Sequence, residues 1–573
     1  MRLVIHPGDH RIHLELPSAM QSLSQSCRGF SHWAFVRTSL LAQLLVGVAS
    51  IATAASPREW AIGSTELASD EQRFDASLAG AGEISLIGML QPGDAEEAEG
   101  DSDAQTDDAA ISDEGYGPPN AEGPYPKPKP KNPCAESHKA LFFLNDFSYL
   151  EDPKYRGHCL GDQLKLMPMG VYRDWGTLDV GGQYRAQYKH EIGMGNAVSG
   201  PGERRFEETE FDLFLNRMRL YGNWRLTDQT RFYVEGIYAD TTTDHDRYRP
   251  RITDDNFGDL LNGFFEHSLA DGVWTARIGR QEMLFGAQRL ISPLDWANTR
   301  RTFEGAMLLY EDGPWSIDTF YTAYVPPRAN EFDKADWQQP VYGSYAVYTA
   351  SPNNTLDLYY IGYDNRRPGA IVSDFSLHTF GSRLFRTFEN NWMFETEGGV
   401  QLGRQSGLGK DQRAGFATVG IGRKAPEHDW QPQLWGYFDY ASGNDGGDDF
   451  TRFNQLFPLG HRYFGFIDAV ARSNIQSPNI LLTAKPPKSD WELLCWYFYF
   501  RADQAGDIVP ALGATELQSL DEKYLGQELD LIAKYTFGPR SNVLFGYSHF
   551  WRGDKILGPA DADFAYCQYE LNF

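Results

Sequence analysis

The chain has 573 residues, of which 41% are hydrophobic and 14% aromatic, so it carries ample apolar surface for a folded body and uniform disorder is excluded. It holds 52 Lys and Arg residues against 78 Asp and Glu residues, and this net charge of −26 repels phosphate backbones, which excludes nucleic acid as an expected partner. The 56 glycines, 30 tyrosines and 36 phenylalanines favour many strands and turns over a helical bundle.

The N-terminal region has the pattern of a secretory signal peptide. Residues 40–51 form an apolar run behind a basic flank, and Ala-Thr-Ala at 52–54 fits an A-x-A cleavage site. We therefore assign residues 1–54 to a signal peptide whose translation starts at Met1 or at Met20. No later stretch approaches the ~20 apolar residues of a membrane helix, so a mature chain that enters a membrane is expected to do so as a barrel.

Residues 55–133 are expected to form a disordered periplasmic linker. Residues 83–126 hold twelve acidic side chains and no Lys or Arg, and the alternating Lys and Pro residues at 127–133 favour a stiff extended spacer. A solvated tether is the favoured interpretation, and an arm that binds an anionic wall polymer is the alternative. Residues 134–175 form a short pre-barrel segment, in which Cys134 and Cys159 are a candidate disulfide.

From residue 176 to residue 573 the sequence changes to strand-length segments of period two, separated by Gly, Pro, Asn and Asp. The segments number about eighteen and recur at a spacing that suits membrane strands of ~10 residues joined by turns and loops. The predicted fold is therefore all-β, a transmembrane antiparallel β-barrel of about 18 strands preceded by a signal peptide and a disordered acidic linker. The alternative is a secreted soluble β-rich protein. Besides the first segment at 178–189, strands are expected at 213–224, 231–240, 274–283, 302–310, 356–363, 392–402, 415–422, 433–441 and 529–537.

The C-terminal segment indicates an outer-membrane location. Phe573, Leu571 and Tyr569 share one face of an amphipathic strand that ends in an aromatic residue. This arrangement looks like the signal that barrel-insertion machinery reads. We therefore expect that machinery and outer-membrane lipid as partners, in the outer membrane of a Gram-negative-type cell envelope.

Strand alternation places several arginines on the inward face of such a barrel. Arg185 lies on the polar face of the first segment, and Arg217 and Arg219 lie opposite the apolar Met218 and Leu220 on the second. Side chains that line a lumen set its charge selectivity. The alternative is that these arginines pair with inward acids and brace a wide barrel.

Three blocks of sequence, at 279–305, 453–468 and 526–530, resemble motifs of the alginate-export outer-membrane porin family. The first begins Gly-Arg-Gln-Glu and continues through Asp-Trp-Ala-Asn-Thr-Arg-Arg-Thr-Phe, and the resemblance extends over residues 175–573. It implies an eighteen-stranded barrel with a constricted, arginine-rich lumen through which an anionic polysaccharide diffuses passively. By motif position, the resemblance assigns this lumen to Arg280, Arg289, Arg300 and Arg301.

Other candidate sites carry weaker signals. Asp445, Asp448 and Asp449 offer oxygen ligands to Ca²⁺ but lack the ordered spacing of an EF-hand, so a solvated loop is favoured. His461 and Arg462 are candidates for contact with a solute carboxylate, although a histidine beside aromatic residues is more often packed.

The sequence predicts a channel and not an enzyme. It contains no H-E-x-x-H, G-x-S-x-G or P-loop motif, and no cofactor is expected. The expected function is passive, charge-selective passage of an anionic polysaccharide or oligosaccharide through an arginine-lined lumen. A porin for uptake of small solutes and a structural or adhesive envelope barrel are the alternatives.

Overall fold

The computed structural model describes residues 2–4, 13–15, 134, 137–153, 155, 157–171, 174–195, 204–243, 245–269, 272–351, 353–366, 374–513 and 515–573. Within the first 67 residues, the strands β1 (Arg2–Val4) and β2 (His13–Glu15) form an antiparallel pair. The remainder of the predicted signal peptide and the whole predicted linker at 55–133 lie outside the described residues.

Eighteen antiparallel strands form a closed barrel, as the sequence predicts. A short strand, β3 (Met167–Pro168), pairs with the start of the first barrel strand, and the last barrel strand pairs with that same first strand and closes the cylinder. The strands are β4 Thr177–Ile192, β5 Glu210–Arg225, β6 Thr230–Thr242, β7 Asn256–Leu269, β8 Trp274–Gln281, β9 Thr302–Asp312, β10 Trp315–Val325, β11 Asp336–Ser351, β12 Asn354–Arg366, β13 Asp374–Thr387, β14 Trp392–Gln405, β15 Lys410–Lys424, β16 Gln433–Ala441, β17 Ile475–Ala484, β18 Trp491–Arg501, β19 Tyr524–Gly538, β20 Ser541–Arg552 and β21 Ala562–Asn572.

The barrel wall has an apolar outer face and a polar inner face. In β5 the inward Arg217 and Arg219 are fully buried, whereas the outward Phe214 is 45% exposed and Met218 is 42% exposed. Large apolar side chains stand exposed in this way all round the outside. Such a surface is unfavourable in water and suits a barrel whose outer solvent is lipid.

The two ends of the barrel differ in the length of their connections. At one end, called the short-turn end here, β5 and β6 are joined by residues 226–229 and β13 and β14 by residues 388–391. At the opposite, long-loop end, β8 and β9 are joined by residues 282–301 and β16 and β17 by residues 442–474. The start of β4 and the end of β21 lie at the short-turn end.

The main hydrophobic core lies inside the barrel. It joins inward-facing residues of the wall strands to the first inward loop (282–301) and the second inward loop (442–474), which fold from the long-loop end into the lumen. The loops contact each other through a parallel bridge between Ile291 and Phe457, and the Phe457 N–H donates to the Leu290 carbonyl at 2.8 Å. The second loop contains one helical turn, His461–Phe464. The lumen of this conformation is therefore filled by the chain itself.

The pre-barrel segment folds as short 3-10 turns at Phe142–Leu144, Ser148–Glu151 and Asp162–Leu164. A disulfide links Cys134 and Cys159, whose Cα atoms are 6.4 Å apart. Among the described residues no helix is long and apolar enough to span a membrane. In the rest of the described barrel region, 3-10 turns lie at Ser406–Leu408, Pro510–Leu512 and Thr515–Leu517.

The C-terminal strand shows the predicted alternation. Tyr569 points outward and is 37% exposed, whereas Gln568 and Glu570 are buried on the inner face. The Phe573 N–H donates to the Gly182 carbonyl at 3.0 Å, and the Gly182 N–H donates back at 2.9 Å, so β4 holds the chain end. The role of Phe573, Leu571 and Tyr569 as an insertion signal stays a prediction.

Candidate functional site

Arg185 and Arg217 form an oxygen-binding pair on the inner wall. They lie directly opposite each other on β4 and β5 and are fully buried. Arg185 donates to the carbonyls of Asp295, Trp296 and Ala297 at 2.7, 3.0 and 2.7 Å. Arg217 donates to the Asp295 carbonyl at 2.8 Å and to the Asp295 carboxylate at 2.9 Å. The pair therefore encloses three successive carbonyls and one carboxylate of the first inward loop.

A chain of buried charges continues from this pair. Arg219 bonds to Glu235 at 2.7 Å and lies 3.5 Å from Glu282. Arg300 contacts both Glu282 and Asp295. Removing charges from water is costly, and alternating partners of opposite sign offset that cost here. Each buried cation in this series therefore depends on a neighbouring carboxylate, and each carboxylate depends on a neighbouring cation.

Arg280 and Arg289 brace the structure through further carboxylates. Arg280, near the end of β8, lies 3.1 Å from Glu304 and also donates to the Asp333 carbonyl at 3.0 Å. Arg289 belongs to the first inward loop and reaches the wall strand β14, where it bonds to Glu395 and Glu397 at 2.8 Å each. These contacts match the bracing role that the sequence left open as the alternative.

Arg301 ties the two inward loops together. Its guanidinium donates to the carbonyls of Ser292, Phe457 and Pro458 at 3.3, 2.5 and 3.2 Å. Burial lowers the pKa of Arg301 to about 10, which leaves the side chain cationic at neutral pH. Its partners in these bonds are carbonyl oxygens from both loops, so its charge holds the loops in one arrangement.

His461 is a packed side chain. Its ring stacks on Trp296 at a centroid distance of 4.4 Å, and its Nδ1 lies 2.9 Å from the Asp468 carboxylate. Burial lowers the pKa of His461, which favours the neutral imidazole. The neighbouring Arg462 is half-buried, with its guanidinium 5.5 Å from the Tyr463 ring centroid. In this conformation the carboxylate that His461 meets is internal to the second inward loop.

The weak metal candidates do not come together as a ligand set. Asp445 accepts a hydrogen bond from the Gly447 N–H at 2.9 Å, and Asp449 lies 3.2 Å from Arg413. Within the part of the chain that the structure describes, one group of three potential ligands lies mutually close. That group is Cys134, Cys159 and Asp162, and both of its sulfur atoms belong to the disulfide.

Sequence reasoning missed Asn298, which is central to the first inward loop. Its amide donates to the carbonyls of Asn216, Asp240 and Asp254 at 3.0, 3.1 and 2.9 Å, which fixes the loop to β5, to β6 and to the β6–β7 connection. Sequence reasoning also left Asp295 without a role, although it is the carboxylate partner of Arg217. Both residues belong to the Asp-Trp-Ala-Asn motif, and this motif is the sequence feature that could have indicated their importance.

The predicted arginines thus converge on the lumen, and their guanidiniums hold chain oxygens. None of them except Arg462 is more than 5% exposed. In this conformation Arg185, Arg217, Arg219 and Arg289 join the first inward loop to the wall. Arg300 and Arg301 bond within and between the inward loops, and Arg280 bonds to Glu304 and Asp333 outside them. Their lining of a pore stays a prediction. The residues concerned are Arg185, Arg217, Arg219, Arg280, Arg289, Arg300 and Arg301.

The family model for alginate export matches residues 177–568, which is the barrel almost from end to end. The chain belongs to the alginate export family. This member of the family is accordingly an outer-membrane β-barrel of the channel type, as the sequence predicts. Because outer-membrane barrels carry their short turns in the periplasm and their long loops outside, the short-turn end faces the periplasm.

Solved structures of porins are similar to this chain at low identity. Pseudomonas aeruginosa OpdK with vanillate is 11% identical, with a TM-score of 0.49, and the match covers 69% of this chain and 98% of that one. Pseudomonas aeruginosa OccD3 (OpdP) is 12% identical, with a TM-score of 0.48, over 69% of this chain and 91% of that one. No significant match was found among curated proteins.

Proposed function

We propose that this protein is a passive channel for an anionic polysaccharide or oligosaccharide, and that the arginines of the lumen select the solute by charge. No cofactor and no catalytic step is part of this proposal. Residues 1–54 direct secretion, residues 55–133 form a periplasmic linker, and the barrel carries the path.

The observation that carries the proposal is the oxygen cradle made by Arg185 and Arg217. Both guanidiniums are aimed into the barrel, and both are satisfied by oxygen atoms of residues 295–297. A guanidinium binds carboxylates in a planar, bidentate manner and stays charged when it is buried. Uronate carboxylates and sugar hydroxyls present the same oxygen-rich surface as the loop segment that occupies the cradle.

The filled lumen makes the present conformation a closed one. A polymer that passes has to displace the first inward loop, because its residues 295–297 occupy the cradle. In the open channel the polymer takes over the oxygen positions that Asp295, Trp296 and Ala297 hold now. The arginine pair then meets the anionic solute in place of the loop.

The same filled lumen favours one second candidate, a structural envelope barrel without conductance. Arg289 with its two glutamates, and Arg280 with Glu304, brace the cylinder whether or not a solute passes. The porin alternative differs from the proposal in its weak charge preference. All three candidates give different electrical behaviour.

The test is single-channel recording of the refolded protein in planar bilayers under a KCl gradient, with polyuronate oligomers added on either side. We expect anion selectivity in the reversal potential and block by the oligomers. The double variant Arg185→Gln, Arg217→Gln should lower both the anion-to-cation permeability ratio and the affinity of the blocking oligomers about tenfold or more, because two charge-assisted contacts are lost. Arg404→Gln is the matched control, since Arg404 pairs with Asp411 on the exposed rim and not in the lumen.

Each opposing result is decisive. Cation selectivity of the unaltered protein would overturn the proposal even if the double variant failed to fold. Openings with weak ion preference and no oligomer block would replace it with the uptake porin. Absence of openings at any voltage, with and without the oligomers, would leave the structural barrel.

A further inference from the structure

The pre-barrel segment enters the barrel at the short-turn end. Its residues 137–153 and 157–166, called the mouth segment here, pack an apolar cluster onto the inner wall. The Phe142 ring lies 5.6 Å from Tyr221 of β5, and the Phe143 ring lies 5.2 Å from Phe264 of β7, measured between centroids. These aromatic residues of the wall point inward, so the mouth segment lies in the lumen.

The mouth segment also contacts the series of buried charges in the lumen. The Arg219 guanidinium lies 4.0 Å from the Phe142 ring centroid, and Arg300 donates to the Ala140 carbonyl at 3.3 Å. Nearer the short-turn end, Arg231 donates to the Phe143 carbonyl at 2.6 Å. The segment therefore stands on the path that the proposed function assigns to the solute.

Two basic side chains anchor the mouth segment on its other flank. Arg540, in the turn between β19 and β20, donates to the Cys134 carbonyl and to the Ser137 hydroxyl, both at 2.8 Å. Lys165 belongs to the mouth segment and donates to the Val180 carbonyl at 2.6 Å and to the Phe573 carbonyl at 3.3 Å. The contacts thus extend from the β19–β20 turn across the β21–β4 seam to β7.

Beside the mouth segment the lumen keeps a cavity of about 310 Å³. Leu141, Phe143 and Leu144 of the segment form one side, and the wall strands with the start of the first inward loop form the others. Gly272 and Val273 of the β7–β8 turn also line this space, so it lies at the short-turn end of the lumen, directly against the segment.

We propose that the mouth segment is a plug that closes the periplasmic opening, anchored by Arg540 and Lys165 and kept in shape by the Cys134–Cys159 disulfide. It is released as a unit when a solute enters, because the disulfide closes the chain around most of the segment and limits the disorder it gains outside the barrel. This assignment rests on the proposed channel function only in requiring that the lumen conducts. The plug controls the entry of a solute into the lumen, whereas the arginine cradle controls which solute is selected.

The experiment compares Arg540→Ala with Lys485→Ala in the full-length protein. Lys485 is the matched control, because it is a basic residue close to another short turn and pairs with Glu492 away from the mouth segment. The first readout is hydrogen exchange of residues 137–166, and the second is the open probability in KCl. Arg540→Ala should raise both about tenfold or more. Arg540→Lys, which keeps the positive charge, should raise both by less, and Lys485→Ala should change neither.

Two outcomes would overturn the plug. Faster exchange of the mouth segment at unchanged open probability would show that the segment does not close the channel. Unchanged exchange in the double variant Arg540→Ala, Lys165→Ala would show that these anchors do not hold it. Open probability is read without reference to ion sign, so a plug that opens a non-selective pore would survive a failure of the anion-channel proposal.

Discussion

The barrel wall and the material inside it are held by contacts of different range. Each wall strand pairs with its neighbours through a regular ladder, as in the sixteen-residue register between β4 and β5. The inward loops are held by single side chains that reach far along the chain, such as Arg301, which bonds to Phe457 156 positions away. The contacts of the wall therefore repeat along each strand, whereas each polar contact of the filling depends on one particular side chain.

The largest effect is expected for Arg300→Ala, which removes the cation shared by Glu282 and Asp295. Breaking a buried ion pair leaves uncompensated charge and costs about 3–5 kcal/mol. Urea unfolding of the refolded barrel in detergent measures the loss. A loss as small as that of a rim variant would show that the filling tolerates the loss of single contacts as the wall does.

The double variant Cys134→Ser, Cys159→Ser should act on the mouth segment and not on the wall. The disulfide joins residues 25 positions apart, and closing a loop of this size is worth about 3 kcal/mol by the chain-entropy account. Hydrogen exchange should accelerate in residues 137–166 and stay unchanged in the strands. Equal acceleration in β4 and β21 would mean that the segment and the wall unfold together.

Acidification should release the mouth segment. Burial, with Arg540 and Lys165 nearby, lowers the pKa of His138 from 6.5 to about 2. Burial lowers the pKa of Lys165 from 10.5 to about 7, against the pull of Asp179. Between pH 2 and 6.5, His138 binds more protons in the released segment than in the docked one. Lys165 does the same between pH 7 and 10.5. Docking therefore weakens as the pH falls through each of these two windows.

This pH dependence is measurable between pH 6 and pH 5. Each pH unit in that range should shift the docking equilibrium about tenfold, equivalent to about 1.4 kcal/mol, through His138. Limited proteolysis of the mouth segment at a series of pH values gives the slope, and His138→Asn should flatten it. An identical slope in that variant would assign the effect to another group.

The smallest effect is expected for Arg404→Ala at the rim. Arg404 and Asp411 form a pair in which both side chains are more than half exposed. Exposed pairs contribute about 0–1 kcal/mol, so unfolding should stay close to that of the unaltered protein. A loss near that of Arg300→Ala would remove the contrast between rim and filling.

The wall could be predicted from the sequence because its pattern is local. The strand predicted at 433–441 matches β16, and the inward direction of Arg185, Arg217 and Arg219 follows from alternation alone. The strand predicted at 274–283 ends earlier, at Gln281, because Glu282 leaves the wall to meet Arg300.

The filling could not be predicted from the same pattern. The three carbonyls that Arg185 binds lie 110 to 112 positions away, and no periodicity relates such positions. The apolar run Ala140-Leu141-Phe142-Phe143-Leu144 was a visible sign that the pre-barrel segment buries itself. The surface that receives it exists only after β5, β6 and β7 have formed.

The seam between β21 and β4 sets a condition on how the cylinder can assemble. Gln183 and Asn572 meet there at 3.1 Å although 389 positions separate them. Contacts of such range form slowly, and until they form both strands present unpaired edges that invite association with other chains. A protein shortened within β21 would keep the strand pairings from β4 to β20 intact and still be trapped as an open sheet, so misassembly rather than weak packing would be its defect.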